Sequence, residues 1–346
     1  MKLKYFFILS VLVGFSVACR SGRKVYEHSD APLTQRVQPK PVDSVFIPAP
    51  LKKGDTVIII APAGYVDATK NYIARADSLL LAWGLIPVHG KHLFEKHYTF
   101  AGTDRQRLSD LQWAFDHPHA KAIWMARGGY GMIRIMNDLD YSGLRKHPKW
   151  VVGFSDITFL LNQMYANGIA SLHGLMPISL THPKPERKSA LVTLKNMLFG
   201  RKLKFVIDGH PANVPGDGEG MVVGGNLSCL VAMLGSSNQL NTDGKILFLE
   251  DVGEYPYAYD RMLFALANAG YFDNLQGLII GDMNTKKPSQ DFGETIEEMV
   301  LKHVKDKGYP VIFGFPAGHV VKNYTVPIGL RIKISVSKEK AKIQYE

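Results

Sequence analysis

Cysteine is scarce in this chain, with only Cys19 and Cys229 among 346 residues. Cys19 closes an apolar run at the N-terminus, whereas Cys229 lies inside an apolar helical pattern. Two cysteines in such different settings do not form a disulfide framework. We interpret Cys229 as a small buried hydrophobic residue.

The motifs of several metal and nucleotide chemistries are also missing. The chain has no HExxH or other convincing ligand spacing and no GxxxxGK[ST] phosphate loop, so we expect neither a metal nor a cofactor. The chain has fewer acidic than basic residues, with 31 Asp and Glu and 41 Lys and Arg, which gives a formal net charge of +10. The basic residues are scattered and form no aromatic-basic stripe, which argues against nucleic-acid binding.

The N-terminus has the organisation of an export signal. Lys2 and Lys4 precede an apolar stretch over residues 5–15 that is too short to span a bilayer as a stable helix. The small or apolar residues that follow lead to Cys19, which resembles a bacterial lipoprotein signal whose cysteine is lipidated. Ser16 stands where that pattern usually has Leu, so ordinary cleavage to a soluble exported protein stays an alternative. We expect the mature chain in the cell envelope, on the periplasmic side and anchored through Cys19.

The residue pattern changes along the chain and divides it into four segments. Residues 1–19 are the predicted lipoprotein-type signal, and residues 20–50, rich in proline and polar residues, are a predicted tether. Beyond them, short apolar runs alternate with amphipathic stretches, which predicts an α/β domain at 51–205 with a parallel sheet covered on both faces. Strand-like segments mixed with helices follow after about residue 200, so we place a second, α+β domain at 210–346.

The first of these domains has a specific predicted order of elements. The predicted strands are 56–61, 86–89, 122–126 and 150–154, and the predicted helices are 68–83, 104–115, 132–139 and 157–166. Thr103 is the expected N-cap of the second helix.

Glycine-rich segments follow three of these strands, where functional groups collect in parallel sheets. They are Ala61–Gly64, Arg127–Gly131 and Gly153–Asp156. The RGGYG segment does not match GxGxxG. It is either a tight turn that needs positive φ angles or a set of backbone amides aimed at an oxyanion.

The GFSDIT segment contains the candidate nucleophile, Ser155. A serine on a sharp turn between a buried strand and a helix presents its hydroxyl at the top of the sheet. The following amide, that of Asp156, is then free to donate. The alternative is that Ser155 merely caps the helix, because serine is a common N-cap.

A nucleophilic serine needs a base and a carboxylate that orients the base. His319 follows Gly318 in a loop after a predicted strand, where it is either a catalytic base or an inert loop histidine. Glu250 ends the apolar strand 246–249, where it is either a helix cap or the orienting group.

Eight segments occur in an order that resembles one known family. They are IIIAPAGYV, FAGTDRQRLSDLQWAF, ARGGYG, GFSDIT, GGNLSCLVAMLG, LFLEDVGEYPY, DRML and FGFPAGH. Together they resemble the bacterial LD-carboxypeptidases, the murein-tetrapeptide carboxypeptidase family that also includes microcin-immunity hydrolases. The resemblance implies a flavodoxin-like N-terminal domain, a smaller β-rich C-terminal domain and a homodimer. It also implies a Ser-His-Glu triad in which Ser155 is the nucleophile, Glu250 the orienter and His319 the general base.

The same resemblance implies how a substrate is held. The oxyanion hole would use the backbone amides of Asp156 and of Gly128 or Gly129. Arg127 either binds the D-alanine carboxylate or pairs with a structural acid. The family's substrate is the tetrapeptide stem of peptidoglycan, cleaved between the L-centre of its third residue and the terminal D-alanine.

Two other functions compete with this one. A microcin-immunity-like hydrolase would cleave a peptidyl or acyl nucleotide and would need an extra aromatic side chain to hold the base. A catalytically silent wall-binding lipoprotein would predict a broken triad, whereas all three residues are present.

Overall fold

The computed structural model describes residues 42, 44–182, 184–287 and 290–345. The predicted signal, its Cys19 and most of the predicted tether lie outside the described residues. Within the described ranges, no helix has the length and apolar character needed to cross a membrane.

Thirteen strands and eight α-helices make up the described fold. The strands are β1 Thr56–Ile60, β2 Ile86–His89, β3 Ala120–Met125, β4 Trp150–Gly153, β5 Ser171–His173, β6 Lys204–Asp208, β7 Gly216–Asn226, β8 Lys245–Glu254, β9 Gly277–Thr285, β10 Val311–Ile312, β11 Val326–Ile328, β12 Arg331–Val336 and β13 Lys340–Tyr345. The helices are α1 Tyr72–Ala82, α2 Asp104–Asp116, α3 Ser142–Lys146, α4 Thr158–Ala166, α5 Arg187–Leu198, α6 Leu227–Ala232, α7 Pro256–Asn268 and α8 Ile296–Val304.

The first sheet has the strand order β11-β5-β4-β3-β1-β2. Strands β1 to β5 are parallel, and their order, 2-1-3-4-5, is that of the flavodoxin-like fold. The continuous apolar run of β1 is explained by burial on both faces, since Ile58, Ile59 and Ile60 are each 0% exposed. The predicted flavodoxin-like class is confirmed.

The second sheet has the order β10-β9-β8-β7-β12-β13-β6. Its β7–β10 part is parallel, and β6, β12 and β13 add antiparallel strands. Buried and exposed residues alternate along β12 and β13, because one face of that region packs on the core and the other meets water. The predicted β-rich second part is confirmed.

Strand β11 connects the two halves of the fold. It lies late in the chain, yet it pairs antiparallel with β5 and forms the edge of the first sheet. The first sheet therefore contains residues from both predicted domains, whose limits at 51–205 and 210–346 stay a prediction. Pro327 is compatible with this position, because an edge strand can leave the donor that proline lacks unpaired.

One predicted helix is wrong. Residues 132–139 form two short 3₁₀ turns, Met132–Arg134 and Met136–Asp138, instead of an α-helix. The amide of Met132 is bound by the Asp156 side chain, and the backbone leaves helical geometry at Ile135 with φ −121°. By contrast, Thr103 is the N-cap of α2 as predicted, in a capping box with Gln106.

Candidate active site

The glycine-rich turn after β3 and the serine turn after β4 lie side by side. A Cβ atom added to Gly128 would lie 3.2 Å from Ser155 Oγ and 3.3 Å from the Asp156 amide nitrogen. The segment after β1 joins them, because the Gly64 amide donates to the Gly128 carbonyl at 3.1 Å. The three strand-end segments singled out in the sequence thus meet at one edge of the first sheet.

Ser155 has a strained backbone. Its φ of 65° is one of three positive values among the described non-glycine residues. It opens a 3₁₀ turn, Ser155–Ile157, that leads into α4, and its hydroxyl makes no capping bond to the described residues. The helix-cap interpretation is therefore wrong. Strain of this kind costs about 1–3 kcal/mol and is characteristic of functional turns, including the sharp elbow that exposes a nucleophile.

Three backbone amides around Ser155 are without hydrogen-bond acceptors among the described residues. They belong to Gly128, Gly129 and Asp156. Gly129 has φ 113°, so the turn needs glycine there, as one interpretation of RGGYG proposed. Unbonded amides beside a serine hydroxyl also have the chemistry that an oxyanion requires.

Two buried side chains fix the glycine turn. The Asp156 carboxylate accepts from the Met132 amide at 2.8 Å, and burial raises the pKa of Asp156 to about 6. Arg107 Nη1 donates to the carbonyls of Gly131 at 2.9 Å and of Pro62 at 2.6 Å. Arg107 was not singled out from the sequence. The available signal was an arginine on the buried face of an amphipathic helix, where a charge needs several acceptors.

Glu250 and His319 form a hydrogen-bonded pair. Glu250 lies in β8 and is 0% exposed, and its Oε2 is 2.8 Å from His319 Nδ1. The neighbouring Asp251, and not Glu250, accepts from the Ser228 amide in the first turn of α6. Gly318 allows the histidine loop to lie close to Glu250, because a Cβ atom on Gly318 would lie 2.7 Å from Glu250 Oε2. Its φ of 110° also favours glycine at this position.

The charges of this pair stabilise each other. Burial disfavours both charged forms, but hydrogen bonding and opposite charge outweigh it. The pKa of Glu250 is consequently well below its ordinary value, with His173 and His319 both favouring the carboxylate. The pKa of His319 is raised by Glu250 despite the burial of the ring.

A second histidine, His173, lies on the other side of Glu250. It is 0% exposed at the end of β5, and its Nε2 is 3.6 Å from Glu250 Oε1. Its ring packs edge-on against Phe248, with centroids 5.0 Å apart. Neither ring nitrogen of His173 has a hydrogen-bond partner among the described residues, and neither does Glu250 Oε1. Sequence reasoning did not select His173, although it ends a strand beside β4.

The nucleophile turn and the histidine loop touch through Phe154. Its ring lies 4.9 Å, centroid to centroid, from the ring of His319. No hydrogen bond joins Ser155 Oγ to His319 among the described residues, and such bonds are often long without substrate.

Arg127 donates to the Tyr65 carbonyl at 3.1 Å and forms no ion pair with a described carboxylate. A search of the same ranges finds no group of His, Cys, Asp or Glu arranged to hold a metal ion.

Comparison with known proteins places this arrangement in a family. Residues 57–174 match the LD-carboxypeptidase N-terminal domain, and residues 219–334 match the LD-carboxypeptidase C-terminal domain. The chain belongs to the LD-carboxypeptidase family. A relative from Bacillus subtilis named "Probable murein peptide carboxypeptidase" is 36% identical over 86% of this chain and 94% of its own. The murein tetrapeptide carboxypeptidase of Pseudomonas aeruginosa is 32% identical over 79% and 91%.

Solved structures agree with the fold of this LD-carboxypeptidase family member. The muramoyltetrapeptide carboxypeptidase of Oxalobacter formigenes has a TM-score of 0.76 and 28% identity, covering 84% of this chain and 98% of its own. The microcin C7 self-immunity protein in complex with aspartyl sulfamoyl adenosine has a TM-score of 0.78 and 23% identity, covering 87% and 99%. At that identity the second likeness shows the fold alone.

Proposed function

We propose that this protein is a serine-type LD-carboxypeptidase that releases the terminal D-alanine from peptidoglycan tetrapeptides. The observation that carries the proposal is the hydrogen-bonded pair of buried Glu250 and partly buried His319, which packs through Phe154 onto the turn of Ser155. Relatives named as murein peptide carboxypeptidases support the substrate class. The scissile bond is the one between the L-centre of the third stem residue and D-alanine.

In the proposed mechanism, His319 accepts the Ser155 proton on Nε2 as Ser155 Oγ attacks the carbonyl carbon. Its Nδ1–H keeps donating to the carboxylate of Glu250, whose Oε2 lies 2.8 Å away, and this bond fixes the tautomer and stabilises the imidazolium. The tetrahedral intermediate collapses when His319 protonates the leaving amine of D-alanine. Water then attacks the acyl-enzyme by the same route and regenerates Ser155.

The unbonded amides of Asp156 and of Gly128 or Gly129 are proposed to hold the oxyanion. They are oriented before the reaction, because Arg107 and the Asp156 side chain fix the turns that carry them. A preorganised donor of this kind is worth about 3 kcal/mol of transition-state stabilisation.

Arg127 is proposed to bind the D-alanine carboxylate. It lies next to Gly128, and its guanidinium donates to the Gly128 and Tyr65 carbonyls, lies over the Tyr65 ring and makes no ion pair with a described carboxylate. A planar guanidinium without an acidic partner is suited to bidentate recognition of a carboxylate.

The place of action is proposed from the N-terminal signal. Lipidation of Cys19 would anchor the protein on the periplasmic side of the cell envelope, where its partners are peptidoglycan-derived peptides. We also propose a homodimer, as the family resemblance implies.

The decisive experiment replaces Ser155 with Ala and follows D-alanine release from a disaccharide tetrapeptide. We expect kcat to fall by about four orders of magnitude or more, because removal of a triad nucleophile leaves only binding and the oxyanion amides. Ser78→Ala is the matched control, since Ser78 is exposed on helix α1 and its hydroxyl donates to the Ala74 carbonyl of the same helix, so this variant should retain parental activity. Release at the parental rate by the Ser155 variant contradicts the nucleophile assignment. Cleavage of an acyl nucleotide in place of the tetrapeptide would favour the microcin-immunity alternative.

A further inference from the structure

Strand β9 carries one residue more than β8 beside the catalytic pair. Leu249 pairs with Ile280 and Asp251 pairs with Met283, so Glu250 faces two residues, Gly281 and Asp282. Such a bulge bends a strand and redirects a side chain. Here it brings a second carboxylate, that of Asp282, next to Glu250.

The position of Asp282 is fixed by the histidine loop. Its amide donates to the Ala317 carbonyl at 2.9 Å, two residues before His319. A Cβ on the adjacent Gly281 would lie 2.5 Å from the same carbonyl oxygen, so the strand and the loop are in close contact. Asp282 is therefore held at the catalytic histidine by backbone geometry and not by a mobile loop.

The Asp282 carboxylate has no cationic partner of its own. It is half-buried and forms neither an ion pair nor a side-chain hydrogen bond with the described residues. Burial and the nearby charge of Glu250 raise the pKa of Asp282, whereas the charge of His319 lowers it. A carboxylate in this environment would be stabilised by a positive ligand.

Asp282 lines a cleft of about 780 Å³, within the usual range for small-ligand sites. We call it the Asp282 cleft. Its walls include the apolar side chains of Phe315, Pro316, Val320 and Val321. Val320 follows His319 directly, so one wall of the cleft adjoins the catalytic base along the chain. An apolar passage that reaches a carboxylate suits an alkyl chain ending in an ammonium group.

We propose that Asp282 determines specificity by binding a side-chain ammonium on the substrate residue whose carbonyl Ser155 attacks. This inference rests on the proposed function. In an LD-carboxypeptidase that residue is the third of the stem peptide, and its side chain begins one carbon from the attacked carbonyl. The side chain must therefore lie beside the triad, where the Asp282 cleft opens.

The distribution of charge assigns the two sides of the scissile bond. The D-alanine carboxylate would be repelled by Asp282 and Glu250, so it belongs on the side of Arg127. The cationic side chain of the third residue belongs on the side of Asp282.

Two lysines, Lys184 and Lys322, also line the cleft, but both are exposed. Water and salt screen the charges of exposed groups more than the charge of the half-buried Asp282 carboxylate. Glu186, exposed in the same cleft, offsets part of the charge of these lysines.

The test compares two tetrapeptides that differ only in the third residue, lysine in one and norleucine in the other. We expect kcat/KM of the parent protein to be about ten- to a hundredfold higher for the lysine peptide. This ratio corresponds to the free energy of one hydrogen bond between charged groups. Asp282→Asn should lose most of this preference through a higher KM for the lysine peptide, with little change for norleucine. Asp282→Glu, which retains the charge, should retain the preference.

Asp306→Asn is the control, because Asp306 is an exposed carboxylate away from the cleft, and it should behave as the parent. Equal kcat/KM for both peptides with the parent protein overturns the assignment of Asp282. Parental preference in a folded Asp282→Asn variant overturns it as well. If the parent releases D-alanine from neither peptide, the proposed function itself fails, and the inference fails with it.

Discussion

The Glu250 carboxylate lies between two imidazoles. His319 donates to one oxygen at 2.8 Å, and His173 lies 3.6 Å from the other. Because the site is buried, each positive or donating group favours the carboxylate, and the carboxylate in turn favours a protonated His319. The consequence at the scale of single residues is a base that holds its proton more tightly than an ordinary histidine does.

This coupling predicts the acid side of the pH profile. In the proposed mechanism His319 must be neutral to accept the Ser155 proton, so activity should be lost as the pH falls through the pKa of His319. Because Glu250 raises that pKa, the midpoint of the acid limb of kcat/KM should lie above the ordinary value of 6.5. Initial rates of D-alanine release across pH give the midpoint directly.

Glu250→Gln provides the matched comparison for that profile. The glutamine keeps the size of the side chain but removes its charge, so the midpoint should move to lower pH while kcat falls by about 10³–10⁴. A midpoint at or below 6.5 in the parent, or one that Glu250→Gln leaves in place, contradicts the coupling.

Helix α2 supports the site at the scale of elements. Its first turns carry Arg107, whose guanidinium is buried and holds the carbonyls of Pro62 and Gly131. These carbonyls belong to the turns after β1 and β3, so one helical side chain ties two catalytic turns together. The capping box at Thr103 fixes where the helix begins and hence where Arg107 points.

Arg107→Met tests this support. The change leaves two buried carbonyls without their donor, which should lower the free energy of unfolding by about 2–4 kcal/mol. We also expect kcat to fall at least tenfold, since the oxyanion amides lose their fixed orientation. Urea denaturation and initial-rate kinetics measure the two effects.

Arg134→Met is the control for that variant. Arg134 also binds Asp104, but its side chain is 46% exposed and reaches no catalytic turn. Exposed ion pairs contribute little, so we expect a loss below about 1 kcal/mol and unchanged kcat. Equal effects of the two substitutions would show that Arg107 acts through Asp104 alone.

At the scale of the whole molecule, the candidate site is assembled from both sheets. Ser155 follows a strand of the first sheet, and Glu250 lies in a strand of the second. Strand β11, soon after His319, returns to pair with β5, whose last residue is His173. Formation of the site therefore depends on both sheets being folded and packed together.

This assembly predicts a single cooperative unfolding transition. All four tryptophans, Trp83, Trp113, Trp124 and Trp150, lie in the first half of the chain, so their fluorescence reports on the first sheet. Far-UV circular dichroism reports on both sheets. We expect the two signals to give the same midpoint in urea, because β11 makes the edge of the first sheet depend on the later chain. Separate midpoints would contradict this dependence.

Features that depend on local pattern could be predicted from the amino-acid sequence. Buried strands are apolar runs and the cap at Thr103 is a short-range signal, so a parallel sheet with helices on both faces and the start of α2 follow from the residues, whereas the flavodoxin-like class was implied by the family resemblance. Ser155, Glu250 and His319 were selected because each follows or ends a strand within an ordered set of motifs. The signal at 1–19, with Cys19, stays a prediction outside the described residues.

Which residues meet in the candidate site depends on contacts between distant parts of the chain. The turns at 132–138 replace a helix because a distant carboxylate, Asp156, binds the Met132 amide. His173 and Asp282 are brought to Glu250 by strand order and by a bulge, neither of which leaves a pattern in the local sequence. Register and long-range pairing depend on contacts between segments far apart in the chain, and these contacts form only when the sheets pack.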